Sequence, residues 1–183
     1  MQQCPIFSTE LDRQAFGRAN EASLCARAFI RAMSGACSKR VGNTWYVTTD
    51  RILEALSDFQ NRELKNAAQA IKTKASEAMK QGADANSHAR IPLRKIAGAP
   101  SIPVFVRLTN AALASEVKIK AVRGANPVRW ISDPGSAGWS ARSEWEVELE
   151  VGEYSFETEP LQPGGPVIAK IDTVAPIFLE IEL

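Results

Sequence analysis

The stretch Ser143-Glu-Trp-Glu-Val-Glu-Leu-Glu-Val-Gly-Glu-Tyr-Ser-Phe-Glu157 decides the fold. Glu144, Glu146, Glu148 and Glu150 alternate with Trp145, Val147, Leu149 and Val151. A period of two belongs to a strand, in which successive side chains leave opposite faces of a sheet. The spacing therefore predicts a half-buried strand with an apolar face on the core and an acidic face in water. An acidic outer face also discourages edge-to-edge association. The same residues leave a second reading open, in which one Glu-x-Glu pair does chemistry.

Outward from this stretch the period stays at two over the C-terminal half. Ile91–Ile96, Pro103–Leu108, Val117–Val122, Val128–Ile131, Tyr154–Glu157, Val167–Ile171 and Ile177–Ile181 read as further strands. Gly and Pro cluster between them in GAP, DPGSAG and QPGGP. Upstream the pattern is helical. Asn20 to Met33 carries Leu24, Ala28, Phe29 and Met33 at helical spacing, with Ser34-Gly35 as its stop. Asn43–Thr49 is short and β-rich. Asp50 then stands as an N-cap before Ile52, Leu53, Leu56 and Phe59. Asn61 to Gln81 is rich in Ala, Lys, Glu and Gln and reads as a long, exposed helix. Gly82–Ser87 is a loop. Helices first and strands after give an α+β fold. A helical region over 1–85 precedes a mainly antiparallel, sandwich-like β region over 86–183, the two packed as one domain.

The chain has 183 residues, 45% of them hydrophobic and 23% charged. That length buries a core without metal or disulfide staples. The net charge of +1 argues against a nucleic-acid binder built on bulk electrostatics, so no nucleic-acid partner is expected. The charge is unevenly placed: residues 1–100 hold 15 Lys/Arg against 9 Asp/Glu, and residues 101–183 hold 7 against 12. Cys4, Cys25 and Cys37 form no C-x-x-C, and the single His88 makes no zinc spacing with them. They read as reduced, mostly buried thiols of a cytoplasmic protein, and no metal is expected. A Cys–His pair of Cys25 or Cys37 with His88 is less plain than a surface His beside buried thiols. No apolar run approaches the ~20 residues of a membrane span. The start MQQCPIFSTELDRQ lacks the pattern of a signal peptide. Gly-x-Gly-x-x-Gly and Walker lysine loops are absent from the sequence.

A Gly/Ser-rich segment, Asp133-Pro-Gly-Ser-Ala-Gly-Trp-Ser140, precedes the acidic strand, and Gly152, Tyr154-Ser-Phe156 and Ile177–Leu183 follow it. Over about residues 117–183 this order resembles mono-ADP-ribosyltransferases of the Glu-x-Glu type, among them bacterial toxins and bacteriophage-encoded host-modifying enzymes. In that family a loop leads into Glu-x-Glu, a Gly turn and a strand follow, and a last strand closes the sheet. The resemblance implies an ADP-ribosyltransferase-like fold with NAD as substrate, and a protein acceptor or, for an NAD glycohydrolase, water; the location expected is cytoplasmic, in the host cell or the virion. It also implies an Arg on a first strand, for which Arg94 is the candidate and Arg51 the rival. A Ser-Thr-Ser-like segment falls at Leu108-Thr109-Asn110, where Leu108 stands in place of the first Ser.

What the resemblance implies for chemistry is cleavage of the nicotinamide–ribose bond through an oxocarbenium-like transition state. Glu146 would stabilise the developing positive charge, and Glu144 would orient or deprotonate the acceptor. Arg94 would grip the dinucleotide phosphates with its planar fork, and Thr109 would fix the glutamate and ribose. Trp139 or Trp145 would contact nicotinamide or the acceptor. The alternative is a non-enzymatic binding or assembly protein, such as a virion component or adaptor, with a protein partner and the four glutamates as a solvated face.

Overall fold

A computed structural model describes residues 24–71, 91–124, 126–140, 142, 144–171 and 177–183. The fold is α+β, and the chain divides into two units, Met1–Pro100 and Ser101–Leu183. The expected helix over 72–81, the loop 82–87, Cys4, His88 and the side chain of Cys25 lie outside the described residues.

In the first unit helix α1 (Leu24–Arg31) runs on into a π-helical turn, Ala32–Ala36. Ala28 and Ala32 are buried four residues apart, so the inner face of α1 is small and helix α2 approaches it closely. The turn ends at Gly35, whose φ of 125° is closed to residues with a Cβ. A Cβ there would also stand 3.3 Å from that of Pro100. Cys37 follows, fully buried, its thiol donating to the Ala32 carbonyl at 3.3 Å. Strands β1 (Lys39–Val41) and β2 (Thr44–Thr48) then form an antiparallel hairpin across Gly42-Asn43. Gly42 has the positive φ such tight turns require.

Helix α2 (Thr49–Ile71) begins one residue before the expected cap. Its buried stripe of Ile52, Leu56 and Phe59 is the one its spacing predicts. Strand β3 (Pro92–Ile96) pairs antiparallel with β2, so the stretch Ile91–Ile96 belongs to the first unit. Thr49 fastens its entry: the Thr49 amide donates to the Ile91 carbonyl at 3.0 Å, and the Ile91 amide donates to Thr49 Oγ1 at 3.1 Å.

The second unit holds strands β4 (Ser101–Arg107), β5 (Lys118–Arg123), β6 (Asn126–Ser132), β7 (Glu144–Glu150), β8 (Gly152–Glu159), β9 (Val167–Ile171) and β10 (Leu179–Glu182). They form two sheets, ordered β10-β4-β7 and β6-β5-β8-β9. Only the β10–β4 pair among them is parallel. One apolar core joins the sheets face to face. Ile102, Val104, Val106, Trp145, Val147 and Leu149 enter it from the first sheet, and Ile119, Ala121, Tyr154, Phe156 and Ile171 from the second. Strand β7 alternates as the sequence requires, with Trp145, Val147 and Leu149 buried and Glu146, Glu148 and Glu150 exposed. A 3-10 turn, Ala111–Ser115, links β4 to β5 and is capped by Asn110 Oδ1, which accepts from the Ala112 amide at 3.1 Å. Among the described residues no helix is long and apolar enough to cross a membrane.

Candidate functional site

The Gly/Ser-rich segment between β6 and β7 builds a shaped loop. Asp133 Oδ1 accepts from the Gly135 amide at 3.1 Å, an Asx turn set by the short Asp side chain. The Asp133 carbonyl accepts from the Ser136 amide at 2.9 Å and from Ser136 Oγ at 2.7 Å. The carboxylate also pairs with Lys118 on β5 at 3.3 Å. The indole N–H of Trp139 donates to Ser132 Oγ at 2.9 Å, which ties the far end of the loop back to the end of β6.

The loop walls an open groove of about 370 Å³ in the second unit. Its lining includes Trp130, Ser132, Trp139, Arg142, Trp145 and Glu146. Trp145 is buried and forms a floor, whereas Trp130 is 45% exposed. The Trp130 ring is flanked by the ammonium groups of Lys118 and Lys120, at 5.5 Å and 5.8 Å from its centroid. Lys120 in turn pairs with Glu157 at 3.5 Å.

The outer face of β7 continues from the groove. Register sets Arg107 of β4 opposite Glu144, and its Nε donates to Glu144 Oε2 at 2.6 Å. On its other side β10 sets Glu182 opposite Arg107, so this guanidinium stands between two glutamate positions. Glu150, at the far end of the strand, pairs with Arg123 at 3.5 Å. Replacing Glu144 by Gln is expected to lower stability by no more than about 1 kcal/mol, because the pair is partly solvated. Urea denaturation checks this; a larger loss would make the pair a structural necessity.

The two glutamates singled out in the sequence thus share one face of β7 but differ in surroundings. Glu144 is held by Arg107, and Glu146 lines the groove beside Trp139 and Arg142. Thr109 lies just past β4, exposed, with its amide donating to the Leu183 carbonyl at 2.7 Å, and it is not in the groove lining. Arg94 and Arg51 belong to the first unit and have partners there. Arg94 donates to the Met33 carbonyl at 2.7 Å, and Arg51 pairs with Glu54 one helical turn along α2. Arg107, Arg142 and Trp130 were not singled out by the sequence. Arg142 is the one a sequence signal marks, since it sits between the Gly/Ser-rich loop and Glu144.

Among the described residues no cluster of three or more His, Cys, Asp or Glu side chains is placed to hold a metal ion. No family model matches the chain, and no curated protein or solved structure matches it.

Proposed function

We propose that the protein is a non-enzymatic binding module whose second unit takes a neutral, hydroxyl-rich ligand, a saccharide, in the tryptophan-walled groove. The observation that carries this reading is the half-exposed Trp130 beside a groove whose other walls offer a carboxylate, a guanidinium and hydroxyls. An indole face packs against the C–H face of a sugar ring. Glu146 accepts from ring hydroxyls, and Arg142 donates to them. The charge balance speaks for a neutral ligand. Glu146 and Asp133 oppose Arg142, and Lys118 is already drawn to Asp133. A dinucleotide diphosphate needs an excess of positive groups.

A second reading, NAD-dependent ADP-ribosyl transfer to a protein acceptor, draws on one observation. Glu146, the second glutamate of Glu144-Trp-Glu146, lines a groove beside Trp139 and Arg142. Against it stands the engagement of Glu144 by Arg107, which withdraws the carboxylate that would act on the acceptor.

One pair of titrations separates the readings. Intrinsic tryptophan fluorescence is followed against a panel of neutral mono- and oligosaccharides, with Trp130→Ala beside the parent. Nicotinamide release from NAD is followed with the parent and Glu146→Gln. The binding module is expected to respond to a saccharide, to lose at least about tenfold in affinity in Trp130→Ala (about 1.4 kcal/mol), and to release no nicotinamide. Release that disappears in Glu146→Gln would replace this reading by the transferase.

A further inference from the structure

Trp130 lines the groove from β6 and also begins a row on the outer face of the second sheet. Register sets Lys120 of β5 opposite Trp130, and Glu157 of β8 opposite Lys120. Direct partners across a sheet share a face. This is the face away from the core, which Ile119, Ala121, Tyr154 and Phe156 enter from the other side. Two residues back along β8, Ser155 lies on the same face, and Ile168 of β9 stands opposite it, 69% exposed. Neighbouring strands lie about 4.8 Å apart, so the surface from Trp130 to Ile168 spans about 14 Å across the strands.

The polar groups on this surface are held in place by one another. Ser155 Oγ donates to Glu157 Oε1 at 2.9 Å, and Lys120 Nζ stands 3.5 Å from Glu157 Oε2. Lys120 also has Glu159 at 3.9 Å, and its ammonium lies 5.8 Å from the Trp130 ring centroid. Both oxygens of Glu157 are engaged, and each keeps capacity to accept a further hydrogen bond. The side chains of Lys120 and Glu157 are 24% and 28% exposed, so both stay within reach of a ligand. Each lysine beside Trp130 is already matched by a carboxylate, Lys118 by Asp133 and Lys120 by Glu157, so the surface does not select an anion. An aromatic face, a set of oriented polar groups and an aliphatic side chain thus follow one another across the sheet.

We propose that the ligand is an oligosaccharide that runs from the groove past Trp130 onto the outer face of this sheet, where Lys120, Glu157 and Ser155 hold the next sugar. This rests on the saccharide reading of the groove and adds the length of chain that the site takes. A sugar ring presents apolar C–H faces and a rim of hydroxyls. Trp130 packs on the ring in the groove, and the fixed carboxylate and ammonium meet the hydroxyls of the ring linked to it. Ile168 gives the far end of the chain an apolar contact. Lys120 and Glu157 are already held, so little side-chain freedom is lost on binding and the contact shows as affinity. Glu157 is therefore a specificity residue for chain length, and a single sugar in the groove does not need it.

The test is a tryptophan-fluorescence titration of the full chain with cello-, malto- and N-acetylchito-oligosaccharides, each series run from the monosaccharide to the hexasaccharide. In a series that binds, affinity is expected to rise at least about tenfold from the disaccharide to the longer members and then level off. Glu157→Ala is expected to remove this gain and to leave the affinity for the mono- and disaccharide at the parent's value, because Lys120 keeps Glu159 and its place beside Trp130. Trp130→Ala is expected to lose affinity at every length. Circular dichroism melts confirm that the variants fold as the parent does. If no saccharide of any length binds, the reading of the groove falls and the proposal falls with it. If short saccharides bind and length adds nothing, or the gain survives in Glu157→Ala, the proposal falls and the reading of the groove stands. A Glu157→Ala loss that is equal at every length also overturns the proposal, since Glu157 would then act only by steadying Trp130.

Discussion

Phe156→Ala is expected to remove about 3–5 kcal/mol from the stability of the Ser101–Leu183 unit. Phe156 is fully buried in the middle of β8, a strand paired on both sides by β5 and β9. Its neighbour in register on β5 is Ala121, so the ring fills space that the small side chain leaves. Tyr154, two residues away on the same face, has its ring centroid 6.4 Å from that of Phe156. A backbone held by ladders on both edges does not collapse into the cavity, so the lost transfer energy and the cavity term add. Urea denaturation followed by tryptophan fluorescence reads the loss, because Trp130, Trp139 and Trp145 all lie in this unit. Phe156→Leu, which keeps most of the volume, is expected to cost clearly less. Ile168→Ala on β9, at a position 69% exposed, is expected to stay within about 0.5 kcal/mol of the parent. A Phe156→Ala loss no larger than that of Ile168→Ala would contradict a core closed between two sheets. The effect bears on function, since Trp145 belongs to this core and also floors the groove.

Phe156 was legible in the sequence for the same reason β7 was. In Tyr154-Ser-Phe156 and in Glu144–Val151 the side-chain period is local and one face is apolar, so burial follows from spacing alone. Pairing is not local. Ile91–Ile96 reads as a strand whichever sheet receives it, and its attachment to β2 is a pairing with Trp45–Thr48, flanked by the bonds of Thr49 with Ile91, 42 positions apart. The site divides along the same line. The loop Asp133–Ser140 adjoins β7 in the chain, so Glu146 and Trp139 were foreseeable neighbours. The partner of Glu144 was not, because Arg107 is 37 positions away and arrives only by the β4–β7 register. Arg94 shows the converse. An Arg in an apolar strand suggested a ligand clamp, and the contact that pairing brings is a terminal nitrogen donating to a backbone carbonyl 61 positions earlier. Charge composition was legible in number and not in arrangement. The row of Trp130, Lys120 and Glu157 exists only once three strands are paired.

Alkaline pH is expected to destabilise the first unit through Cys37. Burial pushes the Cys37 thiol from its ordinary 9.0 up to about 12, against the opposing pull of the Arg51 guanidinium. The sign follows from proton counts. Below pH 9 the thiol is protonated in both folded and unfolded chains and contributes no slope. Above pH 9 the unfolded chain releases the proton while the folded chain keeps it, so stability falls as pH rises. The fall is about 1.4 kcal/mol per pH unit up to about pH 12, or roughly 4 kcal/mol in all, since the raised value marks how strongly the fold holds the proton. Other groups ionise over the same range, so the measurement is a difference. Urea midpoints of the parent and of Cys37→Ala are compared from pH 8 to pH 11, and the parent is expected to lose more with each step. Parallel pH profiles for the two chains would mean that the thiol does not hold its proton. The same burial predicts a thiol that a disulfide reagent attacks at neutral pH only as fast as the unit opens. Cys37 stands two residues before β1 starts and donates to the Ala32 carbonyl, so the proton the fold keeps is the one that makes this hydrogen bond.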